Sequence, residues 1–270
     1  MHILLNEQPL GVSPGCTLEQ LRREYAPEAD VLIVNGAPAE PSYLLQEGDH
    51  VVLITRGVPP SPEEFEILMT ARHTPGVHAI VKQSCVGIAG LGGLGSTVAL
   101  ALARMGVGRL ILVDFDLVEP SNLNRQQYFI DQLGQPKAHA LTATIARINP
   151  CVRCDPHVAK VTPDNLATLF APVNVLIEAF DRADQKAMLA AHWLRQFPSV
   201  PLIMASGVAG TGPATTISVR RCGHHLYVVG DLESAAEPGR GLMAPRVGIA
   251  AHIQATLAVR VLLGDCTEPY

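Results

Sequence analysis

A glycine-rich turn is the first feature of this sequence with a clear chemical use. Residues 90–95 read Gly-Leu-Gly-Gly-Leu-Gly, directly after an apolar stretch and before a helical pattern. Because glycine has no Cβ, the N–H groups of such a turn can approach phosphate oxygens, and the following helix N-terminus adds partial positive charge. Asp114 ends the next apolar stretch, where a carboxylate can accept hydrogen bonds from ribose hydroxyls. The spacing predicts a nucleotide site, although a turn serving only close helix packing is the alternative.

A polar loop after Asp114 narrows the choice of nucleotide. Residues 121–127 read Ser-Asn-Leu-Asn-Arg-Gln-Gln, and Lys137 begins a predicted helix. Arg125 and Lys137 can contact phosphate oxygens, and two such cations suit a triphosphate better than a pyrophosphate that the turn already satisfies. Asp181 follows another predicted strand and could hold Mg²⁺ that bridges phosphates. Each of these three alone could equally be a surface ion pair or a cap; together they favour Mg-ATP.

The elements that must position these residues alternate between apolar strands and helices. Strands are predicted at 86–89, 110–113, 173–177 and 201–205, and helices at 96–105, 136–148, 183–197 and 248–263. Wholly apolar strands separated by helices are typical of a parallel sheet that is covered on both faces. The pattern predicts an α/β fold with a Rossmann-like, doubly wound sheet.

The N-terminal part reads as a smaller unit of its own. Strands are predicted at 1–6, 10–12, 31–34 and 51–54, with one helix over 18–25 that Thr17 caps. Strands around a single helix indicate a β-grasp, ubiquitin-like fold. Residues 58–62 read Val-Pro-Pro-Ser-Pro and interrupt strand pairing, since proline removes a backbone donor and fixes φ. We therefore expect a β-grasp domain over 1–57, a Pro-rich linker and helix over 58–83, and an ATP-binding domain over 84–270.

Composition and charge exclude several classes of function. The chain has 270 residues, of which 48% are hydrophobic, with 20 basic against 25 acidic residues and a net charge of −5. A mildly acidic balance argues against nucleic-acid binding, which normally uses a basic face. The apolar stretches are too short to cross a bilayer, so no membrane contact is expected. The N-terminus lacks a secretory pattern, so we expect a cytoplasmic protein whose six cysteines are mostly free thiols.

The polar loop resembles a known family motif. The run D-x-D-x-V-x-x-S-N-L-x-R-Q of the ThiF/MoeB group of ubiquitin-activating-like adenylyltransferases matches Asp114, Asp116, Val118, Ser121, Asn122, Leu123, Arg125 and Gln126. Segments 134–137, 147–150 and 241–245 are also similar, and the resemblance covers nearly all of 84–264. The N-terminal unit resembles ThiS, the small sulfur carrier of thiamine synthesis. The chain is thus identified as the type of ThiF that bears a ThiS-like domain.

The resemblance implies an activity and a set of site residues. The activity is adenylation of the C-terminal glycine of a ThiS-type sulfur carrier by Mg-ATP, with release of pyrophosphate, in thiazole synthesis by a homodimer. The nucleotide would lie on Gly90, Gly92, Gly93, Gly95, Asp114, Asp116, Asn122, Arg125, Gln126 and Lys137. The catalytic residues would be Arg125, Lys137, Asp181 and Arg72, with the metal on Asp181. Members of the family also use an arginine that the second subunit donates. Arg72 is the candidate for it here, although the residues around Arg72 do not match the family sequence.

The chain departs from the family in three places. The carrier-like unit runs from Gly57 into Val58 and has no free Gly-Gly end, so we expect the substrate to be a separate small protein. Two Cys-x-x-Cys pairs that hold zinc in many relatives are missing, and a single pair at 151–154 favours free thiols. Residues 231–246 contain no cysteine for a covalent link to the carrier, which favours adenylation without covalent transfer.

Three other functions stay open from the sequence. One is adenylation of a different carboxylate, on a MoaD-like carrier or on a tRNA-borne threonylcarbamoyl group. The second is an NAD-dependent oxidoreductase, which shares the glycine turn and Asp114 but has no use for the loop over 121–127. The third is a binding scaffold without catalysis, for which we expect loss of Arg125, Lys137 or Asp181.

Overall fold

The computed structural model describes residues 1–72 and 76–265, without the side chains of residues 63, 67, 71 and 72. The chain divides into two compact units, Met1–Ala79 and Ile80–Tyr270. Each unit has its own sheet and its own buried core, and the two are described separately below.

The first unit contains a five-stranded mixed sheet with the order β2-β1-β5-β3-β4. Its strands are β1 His2–Leu5, β2 Gln8–Gly11, β3 Val31–Val34, β4 Ala37–Pro38 and β5 His50–Ile54, and its first helix is α1 Leu18–Tyr25. Strands β1 and β5 are parallel, and the other pairs are antiparallel. Leu18 and Leu21 of α1 are buried with Ile3 and Val51 of the sheet. One helix packed on such a sheet is the expected β-grasp arrangement.

Local chemistry explains where α1 begins. The Thr17 hydroxyl accepts a hydrogen bond from the Gln20 N–H at 3.2 Å, and the Gln20 side chain accepts one from the Thr17 N–H at 2.9 Å. This capping box satisfies two backbone donors that the helix itself leaves free. The predicted cap and both ends of the helix are confirmed. Helices α2 Pro62–Arg72 and α3 Val77–Gln83 follow along the chain.

The second unit contains a seven-stranded sheet with the order β11-β12-β10-β9-β6-β7-β8. The strands are β6 Cys85–Ala89, β7 Arg109–Val113, β8 Arg153–His157, β9 Val175–Glu178, β10 Leu202–Ala205, β11 Ser218–Arg221 and β12 Leu226–Gly230. All are parallel except the edge strand β11. The helices are α4 Gly93–Arg104, α5 Lys137–Ile148, α6 Leu166–Phe170, α7 Ala183–Gln196 and α8 Ala244–Leu262.

Helices cover both faces of this sheet. Ile111 and Leu112 are neighbours on β7 and both are buried, although side chains alternate between the faces of a strand. Ile111 packs in one cluster with Phe170 of α6 and Trp193 of α7. Helix α4 packs against both α5 and α8, and these three helices pack against strands of the sheet from β6 to β10. The doubly wound, Rossmann-like fold is therefore confirmed. Among the described residues, no helix has the length and apolar character needed to cross a bilayer.

The strand order reverses at one point in the sheet. Strands β6 and β9 are neighbours, and the chain extends from β6 towards β7 and β8 on one side and from β9 towards β10 and β12 on the other. Loops that leave the carboxyl ends of β6 and β9 must diverge there and open a crevice. The glycine turn follows β6, and Asp181 follows β9.

Candidate active site

A cavity of about 600 Å³ lies at the carboxyl ends of the parallel strands. This volume lies within the range of pockets that bind nucleotide-sized ligands. The predicted residues that line it are Gly90, Gly92, Gly93, Asp114, Asp116, Arg125, Gln126, Lys137 and Asp181. The fold thus brings most of the predicted site residues to one cavity from five separate stretches of chain.

The glycines of the turn have different steric roles. Gly90 has a φ of +91°, and a Cβ there would lie 2.8 Å from the carbonyl oxygen of Ala179. Gly92 is the N-cap of α4, and a Cβ there would meet only the Gln126 side chain, at 3.9 Å. A Cβ on Gly95 would collide with the Gly90 carbonyl oxygen, and Gly95 does not line the cavity. Gly92 therefore leaves space for a ligand, whereas Gly95 lets the helix approach the turn.

Asp114 is buried at the end of β7, with both carboxylate oxygens in use. Its Oδ2 accepts a hydrogen bond from the Leu91 N–H at 2.6 Å, and its Oδ1 accepts one from the Asp116 N–H at 2.8 Å. Tyr128 donates its hydroxyl proton to the Leu91 carbonyl oxygen at 2.8 Å. Burial raises the pKa of the Asp114 carboxyl, and the two backbone N–H groups and the charge of Lys137 oppose that rise. Asp114 thus fixes the glycine turn and keeps lone pairs for a ligand hydroxyl.

Lys137 is the cation at the start of α5. Its side chain is only 6% exposed, and its Nζ donates a hydrogen bond to Asp116 Oδ2 at 2.8 Å. The Lys137 N–H also donates to the Asp116 carbonyl oxygen at 2.9 Å. An ammonium group has three donors, and Asp116 accounts for one of them. The remaining donors of Lys137 are available to an anionic ligand in the cavity.

Two polar atoms in the loop after β7 are buried without a partner. They are Nε of Arg125 and Oε1 of Gln126. The Arg125 Nη1 group donates to the Ser121 carbonyl oxygen at 3.2 Å and to Asn124 Oδ1 at 2.8 Å, which holds the guanidinium in place. An unpaired buried polar atom costs roughly 1–3 kcal/mol. A ligand that accepts from Arg125 and donates to Gln126 would remove that cost, so these two atoms fit a bound nucleotide.

Asn122 is buried but serves the backbone of its own loop. Its Oδ1 accepts a hydrogen bond from the Glu119 N–H at 3.1 Å and closes a 3₁₀ turn over Pro120–Asn122. Asn122 does not line the cavity, so a direct phosphate contact, as the family motif implied, is not what this geometry shows. The side chain of Arg72, the remaining predicted catalytic residue, lies outside the described residues.

Asp181 lies in the turn that connects β9 to α7. It lines the cavity and is exposed, so its carboxylate is open to a ligand. Mg²⁺ prefers oxygen ligands. In proteins it is usually bound by one or two carboxylates, and waters and phosphate oxygens of the substrate complete its coordination. One open carboxylate in a cavity with phosphate-binding cations therefore fits a magnesium ion that arrives with a triphosphate.

Two buried ion pairs around the cavity escaped the sequence analysis. The first joins Glu178 to Lys186 at 2.9 Å, and the second joins Asp231 to Arg246 at 2.6 Å. Glu178 ends an otherwise apolar strand, which is the one sequence signal that could have pointed to it. Lys186 lies 8 residues after Glu178, and Arg246 lies 15 residues after Asp231. Only the fold brings the two members of each pair together.

The Asp231–Arg246 pair lies behind the part of the cavity wall that residues 205–209 and 232–236 form. Arg246 donates to the carbonyl oxygens of Gly212 and Pro213, both at 2.9 Å. Asp231 accepts from the Ser234 hydroxyl and N–H and from the Glu233 N–H. Burial opposes ionisation of Asp231, but these donors and Arg246 lower its pKa to about 2.

Family models match both parts of the chain. The model described as the ThiF family matches residues 68–270, and the model described as ThiS-like ubiquitin matches residues 1–57. A molybdopterin-synthase adenylyltransferase of Salmonella typhimurium is 33% identical over 189 residues, which are 67% of this chain and 74% of the relative. A SAMP-activating enzyme E1 of Haloferax volcanii is 33% identical over 191 residues, covering 67% of this chain and 68% of the relative.

A third relative has a different named activity. The tRNA threonylcarbamoyladenosine dehydratase of Escherichia coli is 37% identical over 134 residues, covering 49% of each protein. A crystal structure of the Escherichia coli dehydratase in complex with ATP matches with a TM-score of 0.66 and 25% identity, over 73% of this chain and 92% of that one. The sequence and structure comparisons thus point to the same fold and to related enzymes.

Proposed function

The chain belongs to the ThiF family, and we propose that it uses Mg-ATP to adenylate the C-terminal glycine carboxylate of a small ThiS-type sulfur-carrier protein. One observation carries the proposal. A single cavity combines the glycine turn with Asp114, which could accept hydrogen bonds from ribose hydroxyls. It also contains two cations that could contact phosphates, Arg125 and Lys137, and the exposed carboxylate of Asp181, which could bind a metal. The solved relative named in complex with ATP supports the choice of nucleotide.

The residues of the cavity divide the work of holding ATP. Asp114 would accept from the ribose hydroxyls, and the N–H groups at the start of α4 would donate to the phosphates. Arg125 and Lys137 would neutralise phosphate charge, and Gln126 would add an uncharged contact. Mg²⁺ on Asp181 would supply further neutralisation of the phosphate oxygens. These roles account for the predicted cavity residues apart from Gly90, which lies against Ala179, and Asp116, which pairs with Lys137.

The reaction itself needs positioning more than acid–base chemistry. A carboxylate oxygen of the carrier attacks the α-phosphorus, the bond from that phosphorus to the bridging β oxygen breaks, and pyrophosphate leaves with the electron pair. Both the attacking group and the leaving group are anions, so the cations Arg125 and Lys137 must lower their repulsion in the transition state. No proton has to move, which fits a cavity without a histidine or cysteine among its lining residues.

The first unit supports a carrier protein as the acceptor. Its match to the ThiS-like ubiquitin model favours a ThiS-type carrier, and thiazole synthesis, over other carriers. Its own chain continues from Gly57 into Val58, so the activated carboxylate must come from a separate protein. The relatives named molybdopterin-synthase adenylyltransferase make a MoaD-type carrier the next candidate.

A tRNA-borne carboxylate is the second candidate substrate. The ATP-bound Escherichia coli dehydratase is matched over 92% of its length, so the same catalytic fold can serve that reaction. A carrier-like unit in the same chain favours the protein substrate. An NAD-dependent enzyme would leave the phosphate-type cations and Asp181 without a role, and a scaffold would not need them at one cavity.

Intact mass spectrometry tests the proposal directly. The full-length protein is incubated with Mg-ATP and, in turn, a ThiS-type carrier, a MoaD-type carrier and threonylcarbamoylated tRNA. We expect an adenylated C-terminus on the ThiS-type carrier, together with carrier-dependent exchange of labelled pyrophosphate into ATP. A carrier that lacks its last glycine is the control. Adenylation of the MoaD-type carrier alone would replace the thiazole assignment, and no carrier-dependent exchange would overturn the proposal.

The proposal includes a homodimer, as the family resemblance implies. Light scattering after size-exclusion chromatography measures the mass in solution. If Arg72 reaches a second subunit's cavity, mixing inactive Arg72→Ala with inactive Lys137→Met protein should restore part of the activity. Absence of recovery in a verified mixed dimer would exclude that role for Arg72.

A further inference from the structure

Lys186 lines the cavity but has no donor to spare for a ligand. Its Nζ donates to Glu178 Oε1 at 2.9 Å, to Glu178 Oε2 at 3.0 Å and to the carbonyl oxygen of Ala205 at 3.0 Å. These three acceptors use all three donors of an ammonium group. Lys137 differs, because it spends one donor on Asp116. Lys186 is therefore placed to hold the protein rather than the phosphates.

The partner of Lys186 also holds the turn that carries Asp181. Glu178 is fully buried at the end of β9, and its Oε1 accepts a hydrogen bond from the Phe180 N–H at 2.6 Å. The preceding residue, Ala179, donates its N–H to the Ala89 carbonyl oxygen at 2.8 Å. The turn is thus anchored one residue before Asp181, and its path depends on the Glu178 carboxylate.

The same pair links three parts of the cavity wall. Glu178 belongs to β9, Lys186 to α7, and Ala205 to the end of β10, and the loops beyond them line the cavity. Phe180 in the anchored turn also faces the glycine turn, since its Cδ1 lies 3.1 Å from where a Cβ on Gly90 would be. A shift of this turn would move Asp181 relative to the phosphate-binding turn.

We propose that Glu178 and Lys186 are positioning residues that hold Asp181 at the place where it meets the metal of Mg-ATP. This inference rests on the proposed function for the role of Asp181. A buried ion pair that only stabilised the fold would be replaceable by apolar residues of similar size without a specific effect on metal. A pair that orients a metal-binding carboxylate acts like the outer partners of metal ligands, whose loss typically weakens metal binding about tenfold or more.

A double-mutant cycle with Asp181 separates these roles. The four full-length proteins are wild type, the pair variant Glu178→Leu/Lys186→Met, Asp181→Asn, and the combination. The readout is ATP affinity by calorimetry, with and without Mg²⁺, so it does not depend on any carrier. We expect the pair variant to lose about tenfold of the Mg²⁺-dependent affinity and to keep the affinity measured without metal. In the Asp181→Asn background the pair variant should then change the affinity by less than about twofold.

Two further variants keep the test decisive. If the apolar pair does not fold, Glu178→Gln/Lys186→Met preserves volume and removes the charges. The control is Arg109→Met/Asp155→Asn. It removes an ion pair at the start of β7, away from the cavity, and should leave the Mg²⁺ dependence of ATP affinity unchanged.

Equal losses in both Asp181 backgrounds, or an unchanged metal dependence, would overturn the inference. Normal Mg-ATP binding without carrier adenylation would instead refute the proposed function. The double-mutant cycle could still be interpreted, because it measures only ATP affinity with and without Mg²⁺.

Discussion

The Nζ atom of Lys137 lies 2.8 Å from Oδ2 of Asp116, and this ion pair holds a nearly buried cation at the edge of the cavity. Asp116 itself is about half exposed, so water can solvate its carboxylate when the lysine is removed. Lys137 can therefore be replaced without leaving a buried, unpaired charge. This asymmetry makes Lys137 a good position at which to separate catalysis from folding.

We predict that Lys137→Met lowers the rate of adenylate formation by roughly 10²–10³-fold, because it removes a charge that stabilises the transition state. The free energy of unfolding should change by less than about 1 kcal/mol, since the lost pair is partly exposed. Single-turnover kinetics and urea unfolding measure the two quantities. Asp116→Asn keeps the cation and should lose much less activity. A variant that raised KM for ATP and left kcat intact would place Lys137 in ground-state binding only.

Two glycines of the turn, Gly92 and Gly95, should respond differently to an added methyl group. Gly92→Ala has room in the ligand-free protein but places Cβ in the cavity beside Gln126, so we expect a normal melting temperature and loss of ATP binding. In Gly95→Ala the added Cβ would collide with the Gly90 carbonyl oxygen. This overpacking should lower the free energy of unfolding by at least about 1–3 kcal/mol. Thermal unfolding with and without ATP measures both effects. Equal stability losses would contradict the separate roles.

The elements with strong periodicity or clear caps were predictable from the sequence. The N-cap at Thr17 and the apolar strands β6 and β7 lie where the pattern put them, within a residue. Strand β8 was missed because it is polar and contains Pro156, which a strand tolerates at the edge of a sheet. Helix α4 begins at Gly93, inside the turn, because Gly93 and Gly95 of the turn also belong to the first turn of the helix.

The site was predictable where the chemistry is local. The glycine turn, Asp114 and the loop over 121–127 are close in sequence, so the turn and Asp114 predict a nucleotide site and the loop narrows the choice of nucleotide. Asn122 shows the limit, because its amide could serve a phosphate or the backbone, and the fold uses it as a cap. The Asp231–Arg246 pair spans 15 residues and depends on tertiary packing. No local pattern specifies such a pair.

The Asp231–Arg246 pair should make stability depend on pH in the acid range. The folded-state pKa of Asp231 is about 2, below its value of roughly 3.9 in an unfolded chain, so the charged form stabilises the fold. This contribution is complete above pH 4 and is lost as the pH falls towards 2. We expect Asp231→Asn to destabilise the protein most at pH 6, with a difference from wild type that shrinks between pH 4 and pH 2.

Urea unfolding of both proteins at several pH values measures that difference. Glu237→Gln, at an exposed position in the same loop, is the control and should show no such window. A difference that stayed constant from pH 6 to pH 2 would show that Asp231 acts through packing rather than charge.

Replacement of Gln126 should affect stability and ATP binding in opposite directions. Its Oε1 is buried without a partner, so Gln126→Met should raise the free energy of unfolding of the ligand-free protein by about 1 kcal/mol while weakening ATP binding about tenfold. Gln132 is the matched control, because it is equally buried but donates to Ala140 and Thr144 and accepts from Phe129.

Gln132→Met should therefore lower stability by about 1–3 kcal/mol and leave the intrinsic ATP affinity unchanged. Urea unfolding without nucleotide and calorimetric titration with Mg-ATP measure both variants. If Gln126→Met destabilised the protein as much as Gln132→Met, the Gln126 amide would have a structural partner, and its assignment to the nucleotide site would be wrong.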